Sequence, residues 1–79
     1  MDLQKLIGSR ITQLRKEKGL SQQKLSTDAA IERSHLTNIE KGNKNISLST
    51  LQKIFNALEV SPCDFFNTQE FKVNSNDIK

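Results

Sequence analysis

Arg33, Ser34, Thr37, Asn38 and Lys41 fall close together in the stretch IERSHLTNIEKG, residues 31 to 42. If that stretch is a helix turning about 100° per residue, the five side chains share one fan about 140° wide. Leu36 and Ile39 lie on the other side. The fan carries two cations, three short hydrogen-bonding groups and no acid. Polar outer faces are common on amphipathic helices, so the residue types must decide what this one does. Arg can bond guanine through two hydrogen bonds, and Asn can do the same to adenine. Ser and Thr are adaptable, and a Thr methyl can touch a thymine methyl. An acid in the fan would repel phosphate. The side chains therefore fit the edges of bases in a major groove, with Arg33 and Asn38 as leading readers and Ser34 and Thr37 beside them.

The flanking residues fit a phosphate backbone. Gln22 and Gln23 open the preceding segment, where helix N-terminal N–H groups and amide side chains suit an anion. Lys41, Asn43, Lys44 and Asn45 close and follow the fan. His35 is expected either against the backbone or simply exposed to solvent. Charge agrees. Residues 5 to 44 hold nine basic and four acidic residues, a net of +5, whereas residues 45 to 79 hold three and four, a net of −1. A polyanion is drawn to the first half.

Other chemistries lack their residues. One cysteine, Cys63, allows no intrachain disulfide, and with one histidine it makes no zinc site of the usual kind. Three glycines form no phosphate-cradling loop. No paired carboxylates or Ser/His/Asp set can be placed. No enzyme, metal, cofactor or small-molecule ligand is expected. There is no apolar run near 18 residues and no apolar leader at MDLQKLIGSR, so neither a membrane span nor a signal peptide is expected. A cytoplasmic, reducing location is the default.

The elements that must position the fan can be read from periodicity and caps. Leu3, Leu6, Ile7, Ile11 and Leu14 predict a first helix from about 3 to 18, stopped at Gly19. Ser21 is a good cap for a short second helix over 22 to 29, with Leu20 and Leu25 at staple spacing. Ala30-Ile31-Glu32 is a tight connection to the third helix, which ends at Gly42. Ser47 caps a fourth helix with the stripe Leu48, Leu51, Ile54, Phe55 and Leu58. Ser61-Pro62 starts a fifth, with Asp64 favouring its dipole. The predicted core is Leu6, Leu14, Leu25, Leu36, Ile39, Leu51, Ile54, Phe55 and Leu58. Cys63 is expected to be a small buried hydrophobe, and the polar residues from Asn67 onward a loose tail. The result is one all-α domain of five helices over residues 1–66, with a tail over 67–79. Its helix-turn-helix spans about 21–41, and such a motif lays its second helix in the major groove.

The run GLSQQKLSTDAAIERSHLTNIEKG, followed by LSTLQKIFNALEVSPCDFF, resembles the Cro/repressor-type helix-turn-helix family over about residues 5 to 66. Within that family, ERSHLTNIEKGNKNISLSTLQKI is most similar to controller proteins of restriction–modification systems. The resemblance implies a lambda-repressor-like fold, a homodimer on a double-stranded DNA operator, and control of its own and the endonuclease gene. It also implies a scaffold salt bridge between Arg15 and Glu40. Two positions depart from the family: Ser26 stands where Ala is favoured, and Ala30 where Gly is. Glu59 also replaces a common Gly. Related antitoxins share the domain, and a protein-interaction module on the same fold is a further alternative.

A dimer is also expected on physical grounds. One short helix contacts few bases, and each good bidentate pair gives only about 1–3 kcal/mol of discrimination. A two-fold dimer doubles the reading. Phe65 and Phe66 are the candidate interface residues, because a short terminal helix cannot hide both.

Overall fold

Four helices begin where a short polar side chain accepts a free backbone N–H. In the computed structural model, which describes residues 2–72, Asp2 accepts from Lys5 N at 3.2 Å and starts α1, Leu3–Glu17. Ser21 accepts from Lys24 N at 3.0 Å and starts α2, Gln22–Ala29. Ser47 and Ser61 do the same at 3.1 Å for α4, Leu48–Leu58, and α5, Pro62–Phe66. Each such cap is worth about 1 kcal/mol. Between them α3, Arg33–Lys41, begins at Glu32, whose side chain makes no capping bond. The described chain is thus all-helical with five α-helices, and one 3₁₀ turn follows at Gln69–Phe71.

Four of the helix ends turn through left-handed residues, α1 at Gly19 with φ +70°. Gly42 has φ +76° and closes α3, with Gly42 N and Asn43 N donating back to Ile39 O and Asn38 O. Ala30 (φ 57°) and Glu59 (φ 56°) do the same work with a Cβ present. That conformation costs roughly 1 kcal/mol for an L side chain. The α2–α3 turn therefore keeps the geometry a glycine would give, at the expense of strain. Ser26 keeps its small size useful: it is buried, and its hydroxyl donates to Gln23 O at 3.0 Å.

α1 packs on α3, and α2 packs on both α3 and α4. The α1–α3 approach is close because Gly8 lies in the middle of α1. A methyl group there would collide with the backbone carbonyls of Ile39 and Glu40. The core holds Ile7, Ile11, Leu14, Leu25, Ala29, Leu36, Ile39, Leu51, Ile54, Phe55, Leu58 and Phe65. Full burial of a Leu, Ile or Phe contributes about 1.5–3 kcal/mol.

Three expectations change, and one apolar residue left out of the predicted core stands exposed. Leu6 is only half-buried, and Ile7 and Ile11 fill the seam instead. Leu6 sits a helical step to one side, facing a shallow groove that it shares with Phe71. Leu48 belongs to the stripe of α4 by spacing but is 84% exposed. Cys63 is exposed, not buried, since the five-residue α5 has room to turn only Phe65 fully inward. The segment after Asn67 is not all loose: Phe71 packs against Phe66 and Phe65 with ring centroids 4.9 and 6.1 Å apart. The remainder of the expected tail, residues 73–79 with Val73 and Ile78, lies outside the described residues.

Candidate nucleic-acid interface

The α2–α3 pair is fastened from behind by a polar network. The Arg15 guanidinium reaches from α1 to Glu40 on α3, with Nε to Oε2 at 2.8 Å and a second nitrogen to Oε1 at 3.1 Å. Its third nitrogen donates to Leu20 O at 2.9 Å, in the link before α2. The two side chains are 11% and 5% exposed, which makes this a largely buried bidentate pair. Burial pushes the Glu40 carboxyl upward. Hydrogen bonds from Arg15, Gln22 and Thr12, and the charge of Arg15, outweigh it and hold the carboxyl below its ordinary value. At neutral pH Glu40 is therefore an anion that only accepts hydrogen bonds.

Gln22 extends this network toward the outer face. Its amide nitrogen donates to Glu40 Oε1 at 3.0 Å, and its carbonyl oxygen accepts from Thr37 Oγ1 at 3.1 Å. Thr37 Oγ1 also lies 3.0 Å from Arg33 O. Gln22 is half-buried and bonded inward to Glu40 and Thr37, contacts that sequence reasoning, which set it beside a phosphate, did not include. Gln23 is exposed and donates to Thr27 Oγ1 at 3.2 Å.

The outer face of α3 carries the expected fan. Arg33, Ser34 and Lys41 are exposed, while Thr37 and Asn38 are half-buried. None of these five accepts or donates in a salt bridge among the described residues. Ser34, His35 and Asn38 share one open concavity with Lys44 from the following loop. His35 is half-buried there, between simple exposure and enclosure. Asn43 and Asn45 are exposed, but Asn45 lies in a different groove, beside Leu3, Ile46 and Leu48. It is not gathered with the fan.

Sequence reasoning missed two residues of this concavity, Thr50 and Lys53 of α4. Lys53 had a readable signal: it is one of only three basic residues after Asn45. Its position beside α3 depends on how α4 crosses, which no local pattern shows. Gln4 was also missed. It donates to Gly42 O at 2.8 Å and ties α1 to the end of α3. Glu32, at the N-terminus of α3, is the one acid lining the concavity. It favours the helix dipole and stands outside the fan.

Phe65 is fully buried within the chain, tilted against Phe55 and edge-on to Phe66 at 4.7 and 4.9 Å between centroids. In this structure it has no surface to offer a partner. Phe66 is half-buried and lines a groove. Among the described residues no group of three or more His, Cys, Asp or Glu could hold a metal ion. No helix there is long and apolar enough to cross a membrane.

An all-α scaffold that presents one acid-free helix face through a short turn defines a helix-turn-helix protein. Residues 11–65 match the helix-turn-helix family, and the chain belongs to it. It is 38% identical to the uncharacterized HTH-type transcriptional regulator y4dJ of Sinorhizobium fredii, over 77% of this chain and 79% of that one. It is 36% identical to the control protein C.BamHI of Bacillus amyloliquefaciens, over 78% of each. Its structure is similar to that of the restriction–modification controller protein C.AhdI from Aeromonas hydrophila. The TM-score is 0.76 at 38% identity, covering 82% of this chain and 97% of that one.

Proposed function

We propose that this protein is a sequence-specific double-stranded DNA-binding transcription regulator, a cytoplasmic homodimer that recognises a pseudo-palindromic operator. The single observation that carries this reading is the outer face of α3. Arg33, Ser34, Thr37 and Asn38 stand on a helix whose other side is buried in the core and bolted to α1 by Arg15 and Glu40. A rigid mount is what base reading needs, because bidentate contacts tolerate little misplacement. Lys41 beside the concavity, with Lys44 and Lys53 lining it, supply phosphate contacts that set register without reading sequence. The likeness to C.BamHI and C.AhdI supports a controller of restriction–modification genes that also regulates its own. Regulation then comes from its own concentration, through dimer formation and operator occupancy.

The partner in the dimer is a second copy of this chain, and an uncharged apolar face is available to meet it. Leu48 is 84% exposed and Leu3 is 50% exposed. They flank a groove floored by Ile7, Ile46, Leu51 and Phe66, which continues past Leu48 toward Phe55, Val60 and Pro62. No charged side chain lines either part, although 27% of the chain is charged. Such a face can meet its own copy across a two-fold axis without like-charge repulsion. Of the two candidate phenylalanines, Phe66 alone keeps surface for this contact.

Selection from random duplex DNA by the purified protein tests the reading. A two-fold symmetric site, with half-sites about 10 base pairs apart, is expected. Failure of the folded protein to enrich any sequence would remove base readout by α3.

A further inference from the structure

The inference concerns what Thr37 can recognise, and it rests on the DNA-reading role proposed above. Glu40 is an anion and can only accept hydrogen bonds. Gln22 must therefore present its NH2 to Glu40, which fixes the orientation of the amide. Its carbonyl oxygen is then left facing Thr37, and only the Thr37 hydroxyl can donate across the 3.1 Å between them. The same hydroxyl also lies 3.0 Å from Arg33 O, but that carbonyl already accepts the helical bond from Thr37 N, whereas Gln22 Oε1 would lose its donor if the proton turned outward. A hydroxyl has one proton. In either arrangement that proton stays inside, and the half-buried Thr37 offers an outside partner only the lone pairs of its oxygen.

We propose that Gln22 is a positioning residue that makes Thr37 a pure hydrogen-bond acceptor toward DNA. The base nearest Thr37 is then adenine or cytosine, read through its exocyclic amino group. In the major groove those two bases present N–H donors, whereas guanine and thymine present only acceptors there. A freely rotating threonine would accept either set. The chain of contacts from Arg15 through Glu40 and Gln22 thus turns an adaptable side chain into a selective one. Gln22 acts through Thr37 and touches no base.

Random-duplex selection with the full chain and two variants tests this. Thr37→Val keeps the shape, removes the hydroxyl and leaves the Gln22–Glu40 bond in place, so it marks the position that Thr37 reads. At that pair, an operator with purine in place of adenine, or 2-pyrimidinone in place of cytosine, lacks the exocyclic amino group and is expected to bind the wild type about tenfold or more weakly than the unmodified operator, a preference for the amino group that Thr37→Val lacks. Gln22→Met, which keeps length but cannot hydrogen-bond, is expected to reduce that preference about tenfold at the same position and leave the others unchanged. Circular dichroism establishes that both variants are folded. Equal binding of the wild type to the operator with and without that amino group overturns the proposal. Uniform weakening of every sequence by Gln22→Met also overturns it, and makes Gln22 a phosphate contact instead. A wild type that selects no sequence at all defeats the DNA-reading role itself, and this proposal with it.

Discussion

Arg33 and Lys44 are both exposed cations near the start and beyond the end of α3, yet their expected roles differ. Arg33→Ala should relax preference at one base pair by about 1–3 kcal/mol, while Lys44→Ala should weaken all sequences alike and lower the salt slope by about 1. Fluorescence titrations against operator variants at several salt concentrations separate the two. Equal loss on every sequence for Arg33→Ala would contradict its reading role. Behind them, Arg15→Met should destabilise the fold by about 3–5 kcal/mol, because Glu40 would be left as an uncompensated buried charge. The Glu40 carboxyl is held below its ordinary value in the folded chain. Its stabilising contribution is therefore complete above the ordinary carboxylate range and lost as pH falls through the lowered native value. Urea unfolding of Glu40→Gln should show a large deficit at neutral pH that shrinks in acid; a deficit independent of pH would argue against this ion pair. The types of the proposed reading residues were visible in the sequence, because an acid-free fan is a property of one helix. The inward turn of Gln22 was not, since its partners Glu40 and Thr37 lie 18 and 15 residues away.

The helix boundaries were readable for a local reason: Ser21, Ser47 and Ser61 precede apolar stripes, and each accepts the N–H three residues on. What could not be read locally is how closely two helices approach. Gly8 looks like a weak point in a helical pattern, yet it is where α1 meets the carbonyls of Ile39 and Glu40. Gly8→Ala would improve helix propensity but force the two helices apart. A net loss of about 1–3 kcal/mol is expected from thermal unfolding, as for other overpacked sites. A stabilised Gly8→Ala variant would contradict the close contact. The α2–α3 turn responds in the opposite direction. Ala30 sits at φ 57°, so Ala30→Gly should relieve strain and raise stability by up to about 1 kcal/mol. The departure of Ala30 from the family pattern thus affects stability, while the left-handed turn itself is retained. Leu6 was misread for a reason of packing. Periodicity shows which residues share a stripe, but the width of that stripe covered by neighbours is set by packing.

The assembled chain shows two faces of opposite character. One carries the cations around α3, and the other is the uncharged apolar groove between Leu3 and Leu48. A dimer through the second face would carry twice the +3 of one chain, so its DNA affinity should fall steeply with salt. Leu48→Glu places like charges together across the proposed two-fold axis. Because Leu48 is outside the core, the fold should survive while sedimentation equilibrium shows a shift toward monomer. An unchanged dimer would move the interface elsewhere. The direct test of the regulator reading is equilibrium binding to the selected operator against an unrelated duplex of equal length, at near-physiological salt. A sequence-specific regulator should bind its operator about 10³-fold or more tightly than the unrelated DNA. Equal affinity for the two duplexes would show that α3 holds DNA by charge alone and reads no sequence.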